Sequence, residues 1–167
     1  MTPFAHEGGV AVASFEPAEV EILARLASEV QDLLTNTTDA EGDAIRSSAI
    51  DRLLPAGYGD DGENDAEFRR FTSEGLIERK VRNAQVIIET LSSVDGFPRL
   101  VELDAAASQA WLRGLTDIRL SIAADLGIEH DDDELHLADG DLYLLEVYRW
   151  LAFVQESLID TLEIHSS

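Results

Sequence analysis

LYLLEVYRWLAFVQESLIDTLEI, Leu142 to Ile164, is apolar over most of a helix's circumference, and its reading decides the fold. Leu145, Tyr148, Ala152, Gln155, Ile159 and Leu162 recur at helical spacing as one stripe, and Tyr143, Val147, Trp150, Val154 and Leu158 form a second beside it. Glu146, Arg149, Phe153, Glu156, Asp160 and Glu163 are left as a narrow outer face. A helix patterned this way is a buried one. The spacing predicts a mainly α, single-domain helical bundle built around this C-terminal helix, spanning residues 1–167. Any stripe left bare by the neighbouring helices would be covered by a second subunit, giving a homodimer.

Immediately upstream, residues 129–141 read as an acidic loop. Before it, Asp104 is placed to cap a helix from Ala105 to Leu126, with Trp111, Leu115, Ile118, Ile122 and Leu126 inward and Gly127 as its stop. Arg113 and Asp117 lie four apart and read as a pair on that helix's outer face. Arg99–Leu103 reads as a short strand joining a small N-terminal β-hairpin over residues 1–16, whose turn is Gly8-Gly9. Pro17 opens the first helix, with Val20, Leu23, Ala27, Val30 and Leu34 inward. Residues 36–64 read as largely acidic loop, with a short helix within Ala44–Leu54 that Pro55 stops. The spacing of Asn64 and Glu67 suggests a capping box for a short helix to Phe71. Thr72 or Ser73 would cap a separate helix whose inward stripe is Ile77, Val81, Ala84, Ile88 and Leu91.

The chain's 167 residues suffice for one core without staples. It has no cysteine, which excludes disulfides, thiolate metal sites and a thiol switch within it. The N-terminal residues lack a basic start followed by an apolar core, and no apolar run approaches the ~20 residues of a membrane span. A cytoplasmic protein is expected. Thirty-four acidic against twelve basic residues give a formal net charge of -22. Such a field repels nucleic acid and favours solubility and encounter with basic partners.

Candidate chemistry is sparse. The segment Glu129 to His136 offers carboxylates and imidazoles, but without the turn glycine and terminal glutamate spacing of an EF-hand it reads as a solvated linker rather than a cation site. His6, His130, His136 and His165 stand with no serine or carboxylate in a triad pattern. No cofactor, metal or catalytic set is assigned. Arg69, Arg70, Arg79, Lys80 and Arg82 make a locally positive segment, which either answers carboxylates of nearby loops or meets a partner; Arg149 and Trp150 are the further candidate partner-binding residues. Arg149 needs a carboxylate or a route to solvent, with Glu146 nearest in sequence, and Gln155 in the apolar stripe needs a hydrogen-bond partner.

Three blocks resemble one actinobacterial family. They are Leu53-Leu54-Pro55 through Tyr58 and Asp60-Asp61, with Glu67 to Thr72, Lys80 and Asn83-Ala84; then Trp111-Leu112, Leu115, Asp117, Arg119-Leu120 and Leu126-Gly127-Ile128; and finally Tyr148, Trp150-Leu151, Gln155-Glu156 and Leu158. In their order and spacing they are similar to the actinomycete oxidative-stress regulators (AosR), a family long catalogued as a domain of unknown function. The resemblance implies a cytoplasmic protein that binds a sigma factor or another transcription component. The thiol switch proposed in that family is built on a cysteine pair, which this chain lacks.

Two classes of function follow. One is a non-enzymatic protein-interaction module in transcriptional or stress regulation that does not bind DNA tightly by itself. The alternative is a small enzyme or metal-binding protein with its site between helices; a closed polar pocket with a perturbed carboxylate would favour it.

Overall fold

A computed structural model describes residues 1–36, 48–54, 63–93, 95–128 and 141–166, excluding the side chains of 63–73 and 164–166. The fold is mainly α, with one small sheet. Strands β1 (Thr2–Glu7), β2 (Val10–Phe15) and β3 (Arg99–Leu103) are antiparallel in the order β1-β2-β3. The helices are α1 (Pro17–Thr35), α2 (Ser48–Leu53), α3 (Glu63–Ser92), α4 (Ala105–Leu126) and α5 (Leu142–Ser166).

The hairpin forms where expected because Gly8 and Gly9 both take positive φ, 58° and 90°, which other residues resist. In the β2–β3 register Ala11 faces Leu103 and Ala13 faces Val101, so these buried residues share one side of the sheet. The outer edge of β1 is closed by α5. The Phe4 N–H donates to Ser157 Oγ at 3.3 Å, and Thr161 Oγ1 donates to the Phe4 carbonyl at 2.9 Å. Phe4, Phe15 and Trp111 then meet at centroid distances of 5.8 to 6.1 Å, and Trp150 reaches Phe15 edge-on at 6.5 Å. This aromatic cluster ties sheet, α4 and α5 together.

Helix α1 opens at Pro17 and α4 is capped by Asp104 as expected, while the Glu16–Glu19 capping box of α1 is an addition. Glu19 accepts the Glu16 N–H at 2.8 Å at the start of α1, Asp104 accepts the Ala107 N–H at 2.8 Å at the start of α4, and Gly127 ends α4 at φ 72°. Helix α2 covers the later part of the segment expected to hold a helix.

Several expectations are corrected. The short helix and the separately capped one are a single helix, α3, running unbroken through Thr72 and Ser73. No proline interrupts that stretch, and one glycine, Gly75, costs a helix only about 1 kcal/mol. Its inward residues also differ: Ile87 is fully buried beside Ala84 and Leu91, while Ile77, Val81 and Ile88 are half-buried.

The helix that meets most of its neighbours is α4 rather than α5. It packs on α1, α2, α3, α5 and β3, whereas α5 lies chiefly on α4 and β1. Leu145, Val147, Leu151, Val154 and Leu158 of α5 are buried, and its expected outer face is exposed. Tyr143, 57% exposed, and Ile159, 38% exposed, join that outer surface instead of their stripes.

Candidate functional site

Helices α3 and α4 pack in opposite directions, and their contacts change character from one end to the other. At one end Trp111 Nε1 donates to Thr90 Oγ1 at 2.8 Å. One turn along α4 stands Gly114, where an added Cβ would lie 2.7 Å from Ile87 Cδ1. The missing side chain is what lets the helices approach. Beyond it, Lys80 Nζ donates to Asp117 Oδ1 at 2.6 Å.

Asp117 is 2% exposed, so the expected Arg113–Asp117 surface pair does not form; its partner is Lys80 on the neighbouring helix. Ala110, Gly114 and Asp117 recur at i, i+4 and i+7, which puts Asp117 on the same face as two small buried residues, turned toward α3. Burial raises the Asp117 pKa above its ordinary 3.8, against the opposing hydrogen bond and charge of Lys80. Asp117 Oδ2 is also buried and accepts no hydrogen bond among the described residues.

Two adjoining clefts open over this pair. One, of about 390 Å³, is lined by Leu76, Arg79, Lys80, Asn83, Arg113 and Asp117. The other, of about 250 Å³, shares Lys80, Arg113 and Asp117 and extends past Leu112 and Thr116 to Gln155 and Ile159 of α5. Gln155 anchors that side. Its amide donates to the Leu112 carbonyl at 3.0 Å and to Thr116 Oγ1 at 2.6 Å, and its carbonyl accepts from Arg119 at 2.9 Å. The guanidinium of Arg119 lies 4.9 Å from the centre of the Tyr148 ring. The partner that Gln155 requires is thus supplied by α4.

The basic segment divides. Lys80 answers a carboxylate on α4, not one in a loop. Arg79 and Arg113 are exposed at the cleft and have no carboxylate partner among the described residues. Arg82 is exposed and lines neither cleft. The side chains of Arg69 and Arg70 lie outside the described residues. Arg149 is exposed on α5, and Trp150 is half-buried in a shallow groove of about 210 Å³ with Glu19, Ile22, Tyr143, Glu146 and Val147, remote from Lys80 in the contacts that define each cleft. The acidic segments around Asp39, Asp60 and Asp131, and the His130 and His136 imidazoles, also lie outside the described residues, as does the side chain of His165. Among the described residues no group of three or more His, Asp or Glu is placed to hold a metal, and no helix is long and apolar enough to cross a membrane.

A helical protein with an arginine-rimmed cleft over a buried ion pair is what fold and site define. Residues 1–162 match the family model described as a domain of unknown function (DUF2017), and the chain belongs to that family. It is similar to the "Putative oxidative stress regulator AosR" of Mycobacterium leprae (strain TN), with 30% identity over 110 residues. That match covers 65% of this chain and 49% of the relative, so it spans about half the relative's length. No solved structure matches the chain.

Proposed function

We propose that this protein is a non-enzymatic protein-interaction module, folded as one helical domain, that regulates transcription under stress by binding a sigma factor or another cytoplasmic transcription component. Family membership and the name of the M. leprae relative support the regulatory part. The observation that carries the binding part is the pair Arg79 and Arg113, exposed together at the cleft and without a carboxylate partner among the described residues. Two exposed arginines side by side at a cleft, with no carboxylate partner among the described residues, are suited to meet a partner. No thiol switch operates, since there is no cysteine.

A net charge of -22 opposes tight binding to duplex DNA by the protein alone. The exposed Tyr143 and Phe153 on the outer surface of α5 support a homodimer formed through that helix. Light scattering at micromolar concentration should then give twice the 18.3 kDa chain mass. The functional test is capture by the purified protein from a panel of the host's sigma factors and RNA polymerase subunits. One saturable partner is expected. Failure of every component to bind, or tight salt-sensitive binding to duplex DNA, would overturn the reading.

A further inference from the structure

The two clefts that share Lys80, Arg113 and Asp117 form one groove across α3, α4 and α5, which continues past Leu76, Arg79 and Asn83 on one side and past Leu112, Thr116, Gln155 and Ile159 on the other. Leu76 stands at one end, and Leu112 with the partly exposed Ile159 at the other. The Lys80–Asp117 pair neutralises itself in the floor, so the charge offered outward is that of Arg79 and Arg113. We infer that this groove docks an acidic amphipathic peptide segment of a protein partner, whose carboxylates pair with Arg79 and Arg113 while its apolar side chains cover Leu76, Leu112 and Ile159. The inference rests on the proposed function only in taking the partner to be a protein.

Charge complementarity selects this occupant. The rest of the surface is strongly acidic, and a long polyanion such as nucleic acid would have to cross that field over many phosphates, at one charge per ~1.7 Å of duplex axis. A short segment with a few carboxylates meets only the local positive rim. Among its described lining residues there is no aromatic platform on which bases stack. Its arginines are exposed at the rim rather than enclosing a small ion, and Leu76, Leu112 and Ile159 leave a place for side chains that a free anion does not have.

The probe is a fluorescein-labelled amphipathic helical peptide of Glu, Leu and Ala, titrated with the full chain and followed by anisotropy. Versions with every Glu replaced by Gln or by Lys serve as comparators. The Glu peptide should bind, the Gln and Lys peptides should bind about tenfold more weakly or worse, and the R79E/R113E variant should lose about tenfold or more in affinity for the Glu peptide. Arg25→Ala, which removes a surface arginine paired with Glu29 on α1, should leave binding unchanged. Circular dichroism on each variant checks folding, and the milder Arg113→Ala serves if R79E/R113E fails to fold. Equal binding of the Glu and Gln peptides, or undiminished binding by a folded groove variant, would overturn the inference. So would a duplex DNA that binds the groove more tightly than the peptide. Peptide binding without capture of any transcription component would remove the proposed function and leave the groove; capture that groove variants do not weaken would do the reverse.

Discussion

Trp111 and Asp117 sit on the same helix, less than two turns apart, in surroundings that follow opposite rules. Trp111 itself is satisfied: its ring is fully buried against Phe4 and Phe15, and its one donor reaches Thr90 at 2.8 Å, although Trp150 Nε1 in the same cluster is buried with no hydrogen-bond partner among the described residues. Around Asp117 a carboxylate is buried with one oxygen unpartnered, its counterion comes from another helix, and two arginines nearby have no partner among the described residues. The first region is what a chain does to be stable. The second costs stability that a Leu or Met pair in the same place would not, since buried ion pairs seldom outperform well-packed apolar residues. The difference separates a part of α4 that holds the fold from the part on which the proposed binding rests.

Breaking the sealed end should have the largest effect. Trp111→Ala removes the ring that joins sheet to bundle and should lower the unfolding free energy by about 3–5 kcal/mol in urea titration. A loss under about 1 kcal/mol would show that the aromatic cluster closes up without it.

The charged end should respond less, and with a pH signature. Lys80→Met alone leaves Asp117 buried and unpaired and should cost about 2 kcal/mol or more, whereas Lys80→Met with Asp117→Leu should cost less than the single change. Because the folded pKa of Asp117 is raised above 3.8, the folded state holds that proton more tightly than the unfolded one. Its contribution to stability is therefore fully present below pH 3.8 and is lost as pH rises through the folded value. Relative to Asp117→Asn, whose side chain stays neutral, the wild type should thus lose stability over that rise. Urea unfolding of both proteins at a series of pH values checks it, and a constant difference would contradict the assigned cause.

Between the two ends, Gly114→Ala tests the close approach. Better helix propensity is worth about 1 kcal/mol, but crowding against the fully buried Ile87 costs about 1–3 kcal/mol, so a net loss near 1 kcal/mol is expected. For a chain of this size that is a fall in Tm of roughly 2–4 °C. An increase in Tm would show that Ile87 gives way freely.

Much of the sealed region is legible in the sequence, because its signals are local: Gly8-Gly9, Pro17, Asp104 and Gly127 each impose a backbone geometry on their immediate neighbours. Periodicity likewise places Trp111, Leu115 and Ile118 inward on α4. The continuity of α3 is missed for a related reason, since Thr72 and Ser73 can cap a helix but do not have to. The charged site is less legible. Arg79 and Lys80 stand out as basic residues in an acidic chain, yet the inward turn of Asp117 depends on which side of α4 receives α3, a tertiary fact. Arg113 four residues before Asp117 offers a surface pairing that sequence spacing alone favours. The small residues Ala110 and Gly114, on the same face as Asp117, are the signal that points the other way.

The central claim is that the cleft over Lys80 and Asp117 is kept for binding and not for folding. Urea unfolding of the R79A/R113A variant beside its titration with the labelled acidic peptide tests this most directly. The account predicts an unfolding free energy within about 0.5 kcal/mol of wild type, as for ordinary surface changes, together with an affinity lowered about tenfold. A variant destabilised by more than about 1 kcal/mol whose affinity is unchanged would contradict it, since the two arginines would then serve the fold rather than a partner.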